Sequence, residues 1–96
     1  KLVFQPGRRD EAVEILSTMI PQVEGEPGTL VYSFHTDDAD ENAVWVFELY
    51  ADGDALATHG GSDAIKDMFG RLGGMFGEAP TMVMTTPTAS SKGLPS

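Results

Sequence analysis

The chain has 96 residues, with 15 acidic and 6 basic side chains, and its formal net charge is −9. This length predicts a single domain. The acidic balance disfavours nucleic acid and anionic membranes as partners, because both attract basic surfaces, and it favours a neutral or aromatic small molecule as ligand. No apolar run is long enough to span a membrane, and the absence of cysteine is typical of a cytoplasmic protein.

The first quarter of the chain predicts a strand followed by a helix. Residues 1–5 are apolar enough for a short strand and end at a Pro-Gly turn signal. Apolar residues in 9–23 then recur at spacings of three and four, which predicts an amphipathic helix. Pro21 lies inside this pattern, and we expect it to kink the helix or to end its regular part.

Two further strands are predicted on either side of an acidic turn. Residues 29–35 and 43–50 have strand character, and the segment 36–42 between them contains four acids and is typical of a hairpin loop. Both strand faces are largely apolar, so we expect helices to cover one and a second subunit to cover the other. One predicted face carries Leu30, Tyr32, Phe34, Val44, Val46, Glu48 and Tyr50, and the other carries Val31, Ser33, His35, Trp45, Phe47 and Leu49.

The second half of the chain predicts two helices. Asp52 to Asp54 can cap a short helix that runs to Thr58 or His59, where Gly60 and Gly61 end it. Ser62 or Asp63 can cap a further helix through Leu72.

A last strand is predicted at residues 81–86, followed by a flexible tail at 88–96 that is rich in serine, threonine and proline. The order of elements predicts an α+β fold, with a four-stranded antiparallel sheet and helices on one face. We therefore divide the chain into one domain, residues 1–87, and the tail.

Several segments, taken in order, resemble the antibiotic biosynthesis monooxygenase family. The resemblance covers about residues 2–87 and implies a ferredoxin-like monomer that forms a homodimer, the dimeric α/β barrel, with a pocket between sheet and helices. The segments that carry it are Glu26-Pro27-Gly28, Phe47-Glu48-Leu49-Tyr50, Ala55-Leu56-Ala57-Thr58-His59 with Ser62 and Phe69, and Ala79-Pro80.

The resemblance also implies an activity, the cofactor-independent oxidation of a phenolic, quinol or polycyclic aromatic compound by O2. Two departures from the family pattern qualify it. Relatives often carry a second histidine where this chain has Ser62-Asp63-Ala64. Haem-degrading relatives need a histidine near the position of Phe69, and phenylalanine cannot ligate iron, so haem breakdown is disfavoured.

The candidate catalytic residues are His59, Glu48 and Tyr50. A histidine can take a phenolic proton, a glutamate in apolar surroundings can shuttle protons, and the tyrosine shares a strand face with that glutamate. Each also has a purely structural interpretation, as a helix-end cap, a hydrogen-bonded carboxylate or a packing group. The candidate substrate-binding residues are Tyr32, Phe34, Phe69 and Met68, which the pattern also allows as core residues.

No metal or other cofactor is predicted. His35 next to the acidic segment 36–42 is typical of a solvated loop, since carboxylates without fixed spacing are a weak metal signal. Two alternatives to the monooxygenase remain open. One is an isomerase of a small hydroxyketone that uses the same acid–base residues, and the other is a non-catalytic ligand-binding dimeric domain.

Overall fold

A computed structural model describes residues 1–94, in which three antiparallel strands and four helices form an α+β domain. The sheet has the strand order β1-β3-β2, so the N-terminal strand pairs with the third strand. This confirms the predicted α+β class with an antiparallel sheet. The elements are β1 (Leu2–Val3), α1 (Arg9–Ser17), α2 (Met19–Glu24), β2 (Thr29–Thr36), β3 (Ala43–Tyr50), α3 (Gly53–Gly60) and α4 (Asp63–Leu72).

The hydrophobic core lies between the helices and one face of the sheet. Burial of a large apolar side chain stabilises a fold by about 1.5–3 kcal/mol, and the core collects such side chains from both layers. Its largest fully buried members are Phe4, Leu16, Met19, Val44, Met68 and Leu72.

The helical segment after Arg9 is divided in two at Thr18. Pro21 is the third residue of α2 and has no N–H, and its ring would clash with the carbonyl of Ser17 in an uninterrupted helix. The N–H of Thr18 bonds instead to the carbonyl of Ile15 at 3.1 Å, three residues back. The predicted effect of the proline is confirmed, and the break falls three residues before it.

The acidic loop between β2 and β3 is an ordered hairpin turn. Oδ1 of Asp37 accepts from the N–H groups of Ala39 and Asp40, at 2.8 and 3.0 Å. Oδ2 of Asp37 accepts from Nε1 of Trp45 at 2.8 Å. Arg9 donates to the carbonyl of Asp40 at 3.1 Å, which ties the loop to α1. No three His, Cys, Asp or Glu side chains in residues 1–94 are grouped so as to hold a metal.

The described residues form three strands where the sequence predicted four. Thr81 exchanges two backbone hydrogen bonds with Lys1, at 2.8 and 3.0 Å, but residues 82–86 form no strand. The same segment also contacts this edge further along, because the N–H of Gly77 bonds to the carbonyl of Val3 at 2.9 Å and Phe4 forms an isolated bridge with Phe76. Residues 82–84, which are apolar, remain exposed.

The second face of the sheet is open in the single chain. Trp45 and Phe47 are 48% and 49% exposed. Leu30, predicted beside Tyr32, is instead exposed, because it is the extra residue of an irregularity between Thr29 and Val31.

Residues 88–94 carry no helix or strand, and the rest of the predicted tail, residues 95–96, lies outside the described residues. The division into a domain at 1–87 and a tail at 88–96 stays a prediction. Within residues 1–94, every helix is too short or too polar to cross a bilayer.

Candidate functional site

Helix α3 places His59 against the inner face of the sheet. The helix begins as predicted at Asp52, whose Oδ1 accepts from the N–H of Ala55 at 2.8 Å. Gly28 allows it to lie close, since a Cβ at that position would be 2.4 Å from Cβ of Ala55. The side chain of His59 is only 4% exposed. A histidine this deeply buried needs polar partners.

Glu48 and Tyr50, two residues apart on β3, are the partners that the sequence predicted. The hydroxyl of Tyr50 donates to Oε1 of Glu48. The same carboxylate oxygen lies 3.6 Å from Nε2 of His59, which is too long for a hydrogen bond but close enough for a small movement to make one. Glu48 is 33% exposed and thus accessible from solvent. The structure brings all three predicted catalytic residues together.

Glu26 is a fourth member that the sequence analysis missed as a site residue. Its Oε1 lies 2.8 Å from Nδ1 of His59 and accepts from Oγ1 of Thr29 at 2.9 Å. Its Oε2 accepts from Nε2 of Gln22, also at 2.9 Å. The side chain is only 10% exposed, although it lies in the turn between α2 and β2. The sequence feature that could have identified Glu26 as a site residue is its place in the Glu26-Pro27-Gly28 segment, directly before a strand that borders α3.

The protonation states of the cluster follow from its contacts. Burial alone would raise the pKa of Glu26, but hydrogen bonds from Gln22, His59 and Thr29 outweigh it and lower the pKa below its ordinary value. Burial, and then the hydrogen bond to Glu48, raise the pKa of Tyr50. Burial and the charges of Glu48 and Glu26 likewise raise the pKa of Tyr32. At neutral pH, Glu26 is therefore a carboxylate and both tyrosines are protonated donors.

Aromatic rings surround the imidazole. The ring centroids of Tyr32 and Tyr50 lie 5.0 and 5.5 Å from that of His59. The ring of Phe34 packs edge-on against Tyr32 at 5.2 Å. Tyr32 and Phe34, two of the predicted substrate-binding residues, thus lie beside the acid–base cluster.

The other two predicted substrate-binding residues lie on α4. Met68 is buried in the hydrophobic core with Leu16 and Leu72. Phe69 is exposed at the surface of the helix. The structure thus gives Met68 a packing role, and a part in substrate binding stays a prediction for both residues.

The arrangement can transfer protons. Nε2 of His59 has less than 1 Å² of accessible surface, and no described residue gives it a hydrogen bond. It faces a partly exposed carboxylate that is supported by a protonated tyrosine. A positioned carboxylate–imidazole pair of this kind is suited to general acid–base catalysis.

The fold and the buried acid–base cluster are those of a small α+β protein with a candidate site between sheet and helices. Comparison with known proteins identifies the family. The family model of the antibiotic biosynthesis monooxygenases matches residues 1–71. The chain therefore belongs to this family.

Solved structures of other proteins share the fold. A Caulobacter crescentus CB15 structure whose name refers to the same family is 34% identical, with a TM-score of 0.79 over 83% of this chain and 76% of that one. A Mycobacterium tuberculosis structure at 23% identity shares the fold, with a TM-score of 0.77 over 93% of this chain and 92% of that one. These similarities confirm the predicted ferredoxin-like fold.

A curated relative, an uncharacterised protein of Synechocystis, is 31% identical over 55 residues. The match covers 57% of this chain and 37% of that protein, so the chain spans little more than a third of the relative's length.

Proposed function

We propose that the protein is a cofactor-independent monooxygenase that oxidises a phenolic, quinol or polycyclic aromatic compound with O2. The observation that carries this proposal is the unpaired, buried Nε2 of His59 next to Glu48, whose carboxylate is partly exposed. Phenols and quinols become reactive toward O2 when a base removes a proton. Family membership supports the same class of reaction.

Glu48 is the group that the substrate reaches first. The sequence analysis assigned deprotonation of the substrate to His59, but that side chain is 4% exposed, against 33% for Glu48. A proton taken from the substrate by Glu48 can pass on to Nε2 of His59 after a small approach of the two groups. Tyr50 donates to the same carboxylate and orients it. The buried imidazole then stores the proton during the reaction with O2.

The chemistry balances without a further reductant. For a substrate with an acidified ring CH2, loss of one proton gives a carbanion-like anion, which transfers an electron to O2. Recombination of the two radicals forms a C–O bond and, after return of the proton, a hydroperoxide. Loss of water leaves a carbonyl group. One oxygen atom of O2 enters the product and the other leaves as water, and the four electrons that the carbon loses are those that O2 gains.

The surroundings favour a neutral aromatic substrate. Tyr32 and Phe34 place aromatic rings beside the cluster, and such rings favour offset or edge-on contact with another ring. The net charge of −9 disfavours polyanionic ligands at long range.

A homodimer is part of the proposal. Trp45 and Phe47 expose a large apolar area on the open face of the sheet, and residues 82–84 expose more. A domain of this size buries a smaller fraction of its surface than a larger domain does, so burial of more apolar area stabilises it. Contiguous exposed apolar patches mark interaction sites. Packing of two such faces against each other would bury the outer face in both copies.

The test is oxygen uptake by metal-stripped protein with a panel of anthrones, naphthols and quinols. Wild type is compared with Glu48→Gln and with Glu41→Gln, a matched loss of one exposed carboxylate in the hairpin loop. We expect uptake with at least one class, a fall of about 10²–10⁴-fold in Glu48→Gln and no change in Glu41→Gln. Equal uptake by Glu48→Gln would contradict the assignment.

The acid–base pair also suits a second candidate, an isomerase of a small hydroxyketone, because proton transfer between adjacent carbons needs no O2. Incubation of small hydroxyketones in D2O without O2 separates the two functions. Deuterium incorporation that needs Glu48, without oxygen uptake on the aromatic panel, would favour the isomerase. Binding of panel compounds without either reaction would favour a non-catalytic ligand-binding domain.

A further inference from the structure

We propose that Glu26 is a positioning residue that holds the proton of neutral His59 on Nδ1 and leaves the lone pair of Nε2 facing Glu48. The consequence for turnover rests on the proposed function. The position of the proton is a property of the chain alone and is tested without substrate.

The contacts of Glu26 make it an acceptor toward His59. Its carboxylate already accepts from Thr29 and from Gln22, at 2.9 Å each, in a nearly buried turn. An ionised carboxylate has no proton to donate. The 2.8 Å contact with Nδ1 is therefore an N–H···O bond in which His59 donates.

The two carboxylates that flank the imidazole compete for its single proton. Glu26 is within hydrogen-bond distance of Nδ1 at 2.8 Å, whereas Glu48 is 3.6 Å from Nε2. Glu48 also accepts from Tyr50, and its greater exposure leaves its charge screened by water. The proton therefore lies on Nδ1, facing Glu26, because a charge-assisted hydrogen bond of normal length is stronger than an electrostatic contact beyond that length.

The consequence appears at Nε2. With the proton on Nδ1, this atom is a buried acceptor, and no donor in the described part of the chain reaches it. A buried acceptor without a partner is costly, so the site favours delivery of a proton from Glu48. The opposite tautomer would present an N–H to Glu48 and could not take a proton from it. Glu26 thus decides whether His59 can act as a base toward Glu48.

The test reads the ring nitrogens of His59 directly. Two-bond 1H–15N spectra of 15N-histidine-labelled protein, without substrate at neutral pH or above, distinguish protonated from unprotonated ring nitrogens. The chain has two histidines, and a His35→Gln variant assigns the signals. We expect wild type to carry the proton on Nδ1.

Removal of each carboxylate in turn makes the test specific. In Glu26→Leu, Glu48 is the flanking carboxylate that remains among the described residues, so we expect the proton to move to Nε2. In Glu48→Gln, and in the control Glu24→Leu, which removes an exposed acid from α2, we expect it to stay on Nδ1. Wild type with the proton on Nε2, or an unchanged tautomer in folded Glu26→Leu, would overturn the proposal. If Glu26→Leu does not fold, the wild-type spectrum decides alone.

Oxygen uptake links the tautomer to turnover. A positioned acid–base group contributes about 10²–10⁴-fold to a rate, and we expect Glu26→Leu to lose uptake in this range while Glu24→Leu keeps it. A tautomer change without loss of uptake would overturn the positioning role. If wild type shows no uptake at all, the proposed function fails, while the spectra still decide the position of the proton.

Discussion

Nδ1 of His59 lies 2.8 Å from Oε1 of Glu26, although 33 residues separate the two in sequence. The contact joins the turn between α2 and β2 to the end of α3, so it fixes both the helix and the imidazole. The helix approaches this turn closely because Gly28 has no side chain. Local backbone packing and the acid–base cluster are therefore one structural unit.

Loss of the imidazole should cost stability. His59→Ala leaves the nearly buried carboxylate of Glu26 without its donor, and we expect a loss of roughly 1–3 kcal/mol in the free energy of unfolding. Urea denaturation measures it. Lys66, exposed on α4, serves as control, and Lys66→Ala should stay within about 0.5 kcal/mol of wild type. Equal stability of the two variants would show that the Glu26–His59 contact contributes nothing net.

The close approach of α3 predicts an effect of Gly28→Ala. The added Cβ would lie 2.4 Å from Cβ of Ala55, so the helix has to shift, and we expect destabilisation of about 1–3 kcal/mol. Ala55→Gly removes the clashing group, and the double variant should recover part of the loss through a favourable coupling energy. Strictly additive effects in a double-mutant cycle would contradict this account.

The lowered pKa of Glu26 predicts a pH dependence of stability. Because the folded-state pKa of Glu26 lies below its ordinary value of 4.5, the unfolded chain binds a proton there more readily. The contribution of Glu26 is therefore complete above about pH 4.5 and is lost as the pH falls through the folded-state pKa. Glu26→Gln should flatten the unfolding free energy in this acidic window. Glu24→Gln, an exposed control, should keep the wild-type slope, and identical slopes in all three proteins would contradict the prediction.

The open sheet face predicts a homodimer. Light scattering of wild type at micromolar concentration should give twice the 10.3 kDa of one chain. Phe47→Glu places a charge at the centre of the exposed apolar face, so we expect a monomer, whereas Thr58→Glu adds the same charge on α3 and should leave the dimer intact. A wild-type mass of one chain would exclude this assembly.

Much of the fold could be predicted because local signals agree with it. Side-chain alternation in β2 and β3, the caps Asp52 and Ser62 and the effect of Pro21 all act within a few residues. The strand at 81–86 could not be judged in this way. Whether this segment pairs depends on contacts with distant parts of the chain or with another chain, and an alternation of apolar residues looks the same with or without a partner strand.

The candidate site, too, could be predicted from the sequence only where its contacts are local. Glu48 and Tyr50 are neighbours on one strand face, so their contact follows from strand periodicity. Glu26 could not be assigned, because its role depends on a contact with His59 across 33 residues. Burial of His59, on which the proposed contact of the substrate with Glu48 rests, likewise depends on how closely α3 packs.

The most direct test of the central claim is the stoichiometry of oxygen uptake by metal-stripped wild type with the most reactive compound of the aromatic panel. The account predicts one O2 consumed per carbonyl product formed, no requirement for an added cofactor, and loss of this activity in Glu48→Gln but not in Glu41→Gln. Uptake that requires an added metal or flavin, or that persists in Glu48→Gln, would contradict it.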